Sequence, residues 1–147
     1  MSKTSCYFHI VFGTKFRQKT IFPDRKSRLY QYIASIIKNK KSELIIINGV
    51  ENHIHILMNL HPTVALADMV RDIKSNSSKM IQQTFCLPMF EGWAKEYFAS
   101  SVSPAHVDAV KTYIENQEAH HKTKEFESEI MDFAAKMGMT LYEGDLD

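Results

Sequence analysis

The sequence predicts an α+β domain of the split βαβ, or ferredoxin-like, type. In this fold an antiparallel sheet carries helices on one face, and here two more helices follow at the C-terminal end. Three observations lead to this class: four segments are rich in β-forming residues, amphipathic helical segments separate them, and the order is β-α-β-β-α-β. With 147 residues, 44% hydrophobic and 24% charged, the chain suits a single globular domain spanning 1–147.

The first half of the chain supplies a strand, a helix and two more strands. Residues 5–16 alternate with a period of two and predict the first strand, and Pro23 begins a helix with apolar residues at helical spacing. The run 44–47 predicts a buried strand that Asn48-Gly49 closes. That dipeptide indicates a tight connection to an antiparallel neighbour over 53–60.

The second half begins with a helix and ends with two. Thr63 is the expected cap of the second helix, and the polar segment 74–78 is expected to interrupt it. Residues 93–102 predict the fourth strand, and Ser103-Pro104 predicts the start of a third helix, about 104–121. A last, acidic helix is expected at about 124–137, before Gly138, with an apolar stripe of Phe126, Ile130, Phe133 and Met137.

Composition excludes several classes of protein. No apolar run approaches the roughly 20 residues that span a bilayer, and the N-terminal residues lack a signal-peptide layout. Cys6 and Cys86 form neither a CxxC pair nor a disulfide framework. We therefore expect a cytoplasmic protein with reduced thiols and no membrane contact.

Charge is distributed unevenly along the chain. Residues 1–50 carry ten Lys and Arg against two Asp and Glu, whereas residues 91–147 carry five against twelve. A basic first third is the electrostatic footprint that attracts a phosphate backbone. Lys and Arg that merely solvate exposed faces would give the same pattern, so charge permits nucleic acid without proving it.

Two histidines on the third predicted strand suggest a metal site. In Asn52-His53-Ile54-His55, residues two apart point to the same face of a strand, so His53 and His55 face together. Imidazoles about 7 Å apart along one face can reach the same divalent ion. On its own this spacing is weak evidence, because structural histidines are common.

A second polar pair lies on the third predicted helix. Tyr113 and Gln117 are four residues apart, which places them on one helical face. An amide oxygen suits Mg²⁺ or Mn²⁺, and imidazole extends the choice toward transition metals. The alternative is that Tyr113 packs on the core while Gln117 is solvated.

Together these motifs resemble a known family. His53-Ile54-His55, followed some sixty residues later by Tyr113-Ile114-Glu115-Asn116-Gln117, is similar to the small single-tyrosine HUH transposases of insertion sequences that move as single-stranded DNA. Their relatives include the transposases associated with repetitive extragenic palindromes. Further matching segments are 12–17, 74–78, Trp93 and 117–121, whereas Glu51-Asn52 and Ser103 depart from the family pattern.

The resemblance implies a mechanism and a quaternary structure. It implies that His53, His55 and Gln117 hold a divalent metal, Mg²⁺ or Mn²⁺. Tyr113 would attack a phosphate of single-stranded DNA with hairpin ends, forming a 5′-phosphotyrosine and freeing a 3′-hydroxyl. It also implies a homodimer in which the Tyr113 helix of one subunit serves the histidine pair of the other.

Other residues are candidates for DNA binding. We expect backbone contacts from five cations: Lys15, Arg17, Lys19, Lys74 and Lys79. Trp93, Tyr97 and Phe98 could stack on bases, although core packing is the better interpretation for at least two of them. His9 is expected to be a packed or surface residue, and His120 and His121 to be solvated.

Two other functions fit the same sequence. One is a domesticated relative that nicks palindromic repeats with the same site. The other is a non-catalytic nucleic-acid-binding module that uses the sheet face, although an aromatic-rich strand of the RNA-recognition type is missing.

Charge reversal at Lys15 or Arg17 should weaken DNA binding and make its salt dependence shallower. Removing one cation that meets a phosphate should lower the slope of log Kd against log salt concentration by about 1. Titrations of single-stranded DNA at several salt concentrations measure the slope. An unchanged slope would show that neither Lys15 nor Arg17 contacts a phosphate and that DNA binds another part of the surface.

Overall fold

The strand order and the antiparallel pairing match the predicted ferredoxin-like arrangement. In the computed structural model the described residues are 2–84, 90–121 and 126–136. The strands are β1 Tyr7–Gly13, β2 Glu43–Val50, β3 His53–Asn59 and β4 Phe98–Val102, in the order β2-β3-β1-β4. The α-helices are α1 Pro23–Asn39, α2 Leu66–Thr84, α3 Val107–Glu115, α4 Gln117–His121 and α5 Phe126–Lys136.

The two faces of the sheet have different chemistry. One face packs with α1 and α2 in the main core, whose members include Ile10, Phe12, Ile54 and Ile56. The opposite face carries the histidines, and α5 packs there through a smaller cluster of Val11, Phe98, Ile130 and Ala134. Residues 53–58 of β3 are all buried, because helices cover both faces.

The predicted turn at Asn48-Gly49 is wrong. Strand β2 continues through both residues to Val50, and the turn lies at Glu51 and Asn52. Gly49 pairs with Ile54 at very close range, since an added Cβ would lie 2.2 Å from the His53 carbonyl oxygen. The strand is also half-buried rather than buried, because β2 forms an edge of the sheet.

The second helix is not interrupted by residues 74–78. Ser77 Oγ donates to the Ile73 carbonyl at 2.6 Å, and Asn76 Nδ2 donates to the Asp72 carbonyl at 2.9 Å. These bonds satisfy polar side chains within the helix. The expected cap is also wrong: α2 begins at Leu66, and the Thr63 hydroxyl bonds His61 Nδ1 instead.

The first and fourth strands are shorter than predicted. Strand β1 ends at Gly13, and Lys15–Arg17 form a 3₁₀ turn. Trp93 makes only an isolated bridge to Thr14, and β4 starts at Phe98. Between them, Lys74 Nζ donates to the carbonyls of residues 94, 95 and 96, at 2.8 to 3.3 Å. This lysine fixes a loop where a longer strand was expected.

The third predicted helix is divided into three pieces. Pro104–His106 form a 3₁₀ turn, α3 ends at Glu115, and α4 begins at Gln117. Asn48 Nδ2 donates to the carbonyls of Ile114 and Glu115, at 2.9 and 3.2 Å, and so satisfies acceptors at the end of α3. The last helix agrees with the prediction where it is described. The side chains of Phe126 and Phe133, and the whole of Met137 and Gly138, lie outside the described residues.

Gly49→Ala should destabilise the fold by about 2–3 kcal/mol, because the new methyl group would collide with backbone atoms of β3 that cannot rotate away. Urea unfolding monitored by circular dichroism gives the free energy of unfolding. Glu43→Ala, at an exposed position of the same edge strand, is the matched control. Equal stability of the two variants would contradict the close approach.

Candidate active site

The two histidines of β3 are fully buried on one face of the sheet, with ring centroids 5.2 Å apart. Each makes a polar contact through Nδ1. His53 Nδ1 lies 2.8 Å from Asn52 Oδ1, and His55 Nδ1 lies 2.8 Å from His9 Nε2. Both Nε2 atoms therefore point toward the third group of the site.

These contacts orient the histidines as metal ligands usually are. The side-chain oxygen of Asn52, Oδ1, can only accept a hydrogen bond. His53 therefore donates from Nδ1 and keeps the lone pair of Nε2 for a ligand. Burial, together with the nearby His55, lowers the pKa of His9 to about 3, so His9 is neutral near pH 7. A neutral His9 can accept at Nε2 from His55 Nδ1, which keeps the lone pair of His55 Nε2 for an ion.

A carboxylate from α5 joins the two histidines. Glu129 is buried, and its oxygens lie 3.6 Å from His53 Nε2 and 3.3 Å from His55 Nε2. The Tyr113 hydroxyl donates to Glu129 Oε1, and Gln117 Nε2 donates to the same oxygen at 3.2 Å. Glu129 is thus the common partner of His53, His55, Tyr113 and Gln117.

Burial and hydrogen bonding act in opposite directions on Glu129. Burial alone would raise the pKa of a carboxyl group, because the charged form loses its hydration. The two imidazoles beside the carboxylate, those of His53 and His55, outweigh burial and lower the pKa of Glu129 to about 2. Glu129 is therefore ionised at neutral pH.

Sequence reasoning missed Glu129, although a signal was present. It lies three residues after Phe126 and four before Phe133, so it falls on the predicted apolar stripe, next to Ile130. A charged residue within the buried stripe of a helix needs a partner. The identity of that partner depends on how α5 packs, which the stripe does not reveal.

The predicted nucleophile and third ligand reach the same place. The half-buried Tyr113 ring lies 5.9 Å from the His55 ring and 6.4 Å from the His9 ring, centroid to centroid. Gln117 is fully buried, and its Oε1 has no hydrogen-bond partner among the described residues. Tyr113 lies beside His55 of its own chain and Gln117 contacts Glu129 of the same chain, although Asn116 interrupts the helix between them.

The side chains fit a divalent metal ion. His53, His55 and Glu129 each offer a ligand atom, and these atoms lie within 4.8 Å of one another. Two imidazoles and a carboxylate form a common donor set for divalent ions. The buried Gln117 Oε1 is a further oxygen donor, with no other partner in the described part of the chain.

The predicted DNA contacts are scattered over the surface. Lys15, Lys19 and Lys79 are exposed, while Arg17 is half-buried and donates to the Thr14 carbonyl at 3.4 Å. The Lys74 ammonium is directed to three carbonyls, and burial lowers its pKa to about 8.

The aromatic candidates for base stacking divide into core and surface. Trp93 and Phe98 are buried in the two hydrophobic clusters, whereas Tyr97 is exposed. His9 is packed, as expected, but its contact with His55 was not predicted. The side chains of His120 and His121 lie outside the described residues.

Comparison with known proteins gives a consistent result. The family described as "Transposase IS200 like" matches residues 2–117. The transposase for insertion sequence element IS200 of Salmonella typhimurium is 22% identical over 121 residues, which cover 79% of each chain. The Salmonella typhi transposase for the same element matches to the same extent.

Two solved structures share the fold. A crystal structure from Deinococcus radiodurans, assigned as a transposase, has a TM-score of 0.63 at 21% identity and covers 80% of this chain and 95% of its own. A REP-associated tyrosine transposase bound to a REP hairpin has a TM-score of 0.63 at 13% identity, covering 82% and 74%.

The sheet topology therefore places the chain in the fold class of these transposases. The family match extends over most of the sequence, and the chain belongs to the IS200-like transposase family. An enzyme activity that cleaves and rejoins DNA, in the general sense of a transposase, follows from that membership. Within the described residues, every helix is too short or too polar to cross a membrane.

His9 should make the metal-free protein sensitive to mild acid. Its pKa falls from 6.5 to about 3 on folding, so the unfolded chain binds the additional proton. The stability that His9 contributes is complete above about pH 6.5 and is lost progressively as the pH falls toward 3.

Urea unfolding in chelator, between about pH 7.5 and 5, tests this against His9→Gln, which can still accept from His55. The variant should lose stability less steeply. Glu129 does not interfere in this range, because its stabilising effect is lost only as the pH falls from 4.5 to about 2. Parallel pH profiles of the two proteins would contradict the assignment.

Proposed function

We propose that this transposase cleaves and rejoins single-stranded DNA ends through a 5′-phosphotyrosine intermediate on Tyr113. One observation carries the proposal: the Tyr113 hydroxyl meets a buried His53–His55–Glu129 cluster that is suited to a divalent ion. A tyrosine that served only packing would not need two oriented histidines and an ionised carboxylate around its hydroxyl. A non-catalytic binding module would not need them either.

His53, His55 and Glu129, with Gln117 as the further oxygen donor, would hold Mg²⁺ or Mn²⁺. When bound, the ion supplies charge neutralisation and polarisation of a phosphate and favours the phenolate form of a nearby tyrosine. The neutral His9 and Asn52 keep the two imidazoles oriented for this task. The carboxylate contributes the negative charge that retains a cation in a buried site.

The reaction itself depends on the phenol of Tyr113. A tyrosine hydroxyl has an ordinary pKa of about 10 and is a weak nucleophile at neutral pH. Glu129 Oε1 accepts the hydroxyl hydrogen and so orients the lone pairs of the phenolic oxygen. The phenol gives up its proton to water and its oxygen forms a bond to phosphorus. The bond between phosphorus and the 3′ oxygen breaks, and that oxygen takes up a proton from water and leaves as a 3′-hydroxyl, so no net proton is consumed.

The covalent intermediate explains how strands could be rejoined without ATP. The phosphotyrosine is a phosphodiester, so its bond energy is conserved. A DNA 3′-hydroxyl that attacks it restores the DNA backbone and the phenol of Tyr113. Cleavage and joining are then one reaction in two directions.

Hairpin-bearing single-stranded DNA is the proposed substrate. The basic balance of residues 1–50 supports a polyanionic partner. A structure with the same fold is described as bound to a REP hairpin, which supports a hairpin ligand here. The same likeness favours a second candidate function, a domesticated nickase of palindromic repeats, which would use the same residues on a different target.

The arrangement of subunits is open to a direct test. The resemblance predicts a homodimer that exchanges the Tyr113 helix between subunits, whereas the contacts within one chain support cleavage by a tyrosine and histidines of the same subunit. A mixture of Tyr113→Phe and His53→Ala proteins distinguishes these. Exchange between subunits restores a complete site and hence cleavage, while assembly within one subunit leaves the mixture inactive.

A covalent-adduct assay tests the function. Purified protein, Mn²⁺ or Mg²⁺, and labelled single-stranded DNA from the ends flanking its own gene should give a protein–DNA band on a denaturing gel. Tyr113→Phe should abolish the band and still bind DNA, because only the nucleophilic oxygen is removed. Chelator or His53→Ala should also abolish it. A band that survives in Tyr113→Phe would refute the assignment of the nucleophile.

Metal affinity is the second readout of the same assignment. Glu129→Gln should weaken Mn²⁺ binding by about 10- to 100-fold in calorimetry, since even groups that only support a ligand have effects of that size. Asp132→Asn, at an exposed position of the same helix, is the matched control. Equal affinity of the two variants would exclude Glu129 as a ligand and leave Gln117 as the third donor.

A further inference from the structure

Phe16 is the most exposed aromatic side chain in the described part of the chain. It is 74% exposed, compared with 40% for Phe22 and 37% for Tyr97. A single exposed apolar residue needs no explanation by itself. The backbone, the anchoring and the charge around Phe16 make it exceptional.

The backbone holds Phe16 in an unfavourable conformation. Phe16 and Arg17 have φ of 59° and 56°, so two consecutive residues with side chains occupy the left-handed region. Residues held in this way cluster at functional sites, where the surrounding structure overrides the local preference. Glycine would occupy this position without strain, but the sequence has a large aromatic side chain there.

Hydrogen bonds on both sides fix the turn. Lys15 N–H donates to the Gly92 carbonyl at 2.9 Å, and Arg17 N–H donates to the Thr14 carbonyl at 3.0 Å. The Thr14 hydroxyl lies 2.7 Å from the Gln18 carbonyl oxygen. The Phe16 ring is therefore displayed on a rigid support.

The turn is also tied to the candidate active site. Thr14 N–H donates to the Asn52 carbonyl at 2.9 Å, and the Asn52 side chain contacts His53. One residue thus connects the anchor of the turn to a predicted metal ligand.

Cations flank the ring in the sequence, and a carboxylate contact of the turn runs from Gln18 Nε2 to Glu91 at 3.5 Å. Lys15 and Lys19 are exposed, and Lys15 Nζ lies 5.5 Å from the centre of the Phe16 ring. Residues 14–20 contain three cations and no carboxylate. An exposed ring flanked by cations is the combination that single-stranded nucleic acid requires, since bases stack on the ring and phosphates meet the charges.

We propose that Phe16 is a stacking platform for an unpaired DNA base, with Lys15 and Lys19 contacting the neighbouring phosphates. The inference rests on the proposed function and adds a binding position for the strand that flanks the hairpin. A paired base has its faces covered by its neighbours in the duplex, so the platform selects single-stranded DNA.

The test compares Phe16→Gly with Phe16→Tyr in full-length protein that also carries Tyr113→Phe, so that no covalent product accumulates. The probes are two hairpin oligonucleotides from the ends flanking its own gene, one blunt and one with a single-stranded flank that contains 2-aminopurine. Fluorescence anisotropy gives Kd, and 2-aminopurine emission reports stacking. Met131→Ala, at another exposed apolar position, is the control.

Phe16→Gly should bind the flanked hairpin about 10-fold more weakly, within the range for removing one stacked base, and should abolish the quenching of 2-aminopurine. Phe16→Tyr should remain within about twofold of Phe16 because it keeps the ring. The salt slope should not change, since no charge is removed. The thermal stability of Phe16→Gly should be equal or higher, because glycine relieves the backbone conformation.

Equal affinity of the glycine and tyrosine variants for the flanked hairpin would overturn the proposal. An equal loss of affinity for the blunt hairpin would also overturn it, because the ring would then contact paired DNA. The adduct assay on protein with Tyr113 intact is independent of these outcomes. An adduct together with unaffected binding by Phe16→Gly would reject the platform and leave the proposed function standing.

Discussion

The alternation of side chains along β3 is the constraint on which the site depends. Ile54 and Ile56 belong to the main core with α1 and α2. His53 and His55, which alternate with them along the strand, face the other side of the sheet. A slip of one residue in register would bury the imidazoles in the apolar core and expose the isoleucines to the polar cluster. The pairing of Asn48 with His55 belongs to the same register, so the residue that binds the end of α3 is positioned by the sheet as well.

The polar cluster on that face consists of His53, His55, Tyr113, Gln117 and Glu129. It is stable because these side chains are hydrogen-bond or charge partners of one another. Burying an isolated carboxylate would cost several kcal/mol, but Glu129 receives hydrogen bonds from Tyr113 and Gln117 and lies beside two imidazoles. The cluster also joins β3 to the three consecutive helices α3, α4 and α5, which follow much later in the sequence. The packing of the C-terminal helices and the proposed function therefore depend on the same few contacts.

Local periodicity made much of the fold and site predictable. Residues two apart in a strand, or four apart in a helix, lie on the same face. The sequence alone therefore predicts that His53 faces the same side as His55, and Tyr113 the same side as Gln117, without any knowledge of how these elements pack. The wrong or missing predictions concern contacts between residues that are far apart in sequence. The turn preference of Asn48-Gly49 yielded to pairing with β3, and Glu129 could be placed only once α5 had packed on the sheet.

Glu129 comes from a helix beyond residues 2–117, the part of the chain that matches the family. Histidine and glutamine are uncharged ligands, so they would leave both positive charges of a bound divalent ion available to a phosphate. A carboxylate offsets one of them. It would hold the ion more tightly and draw the DNA backbone less strongly. With the proposed ion bound, Glu129 of the C-terminal helix would act as a counter-charge, and a change in that helix would shift the balance between retaining the ion and activating the phosphate while His53 and His55 stay the same.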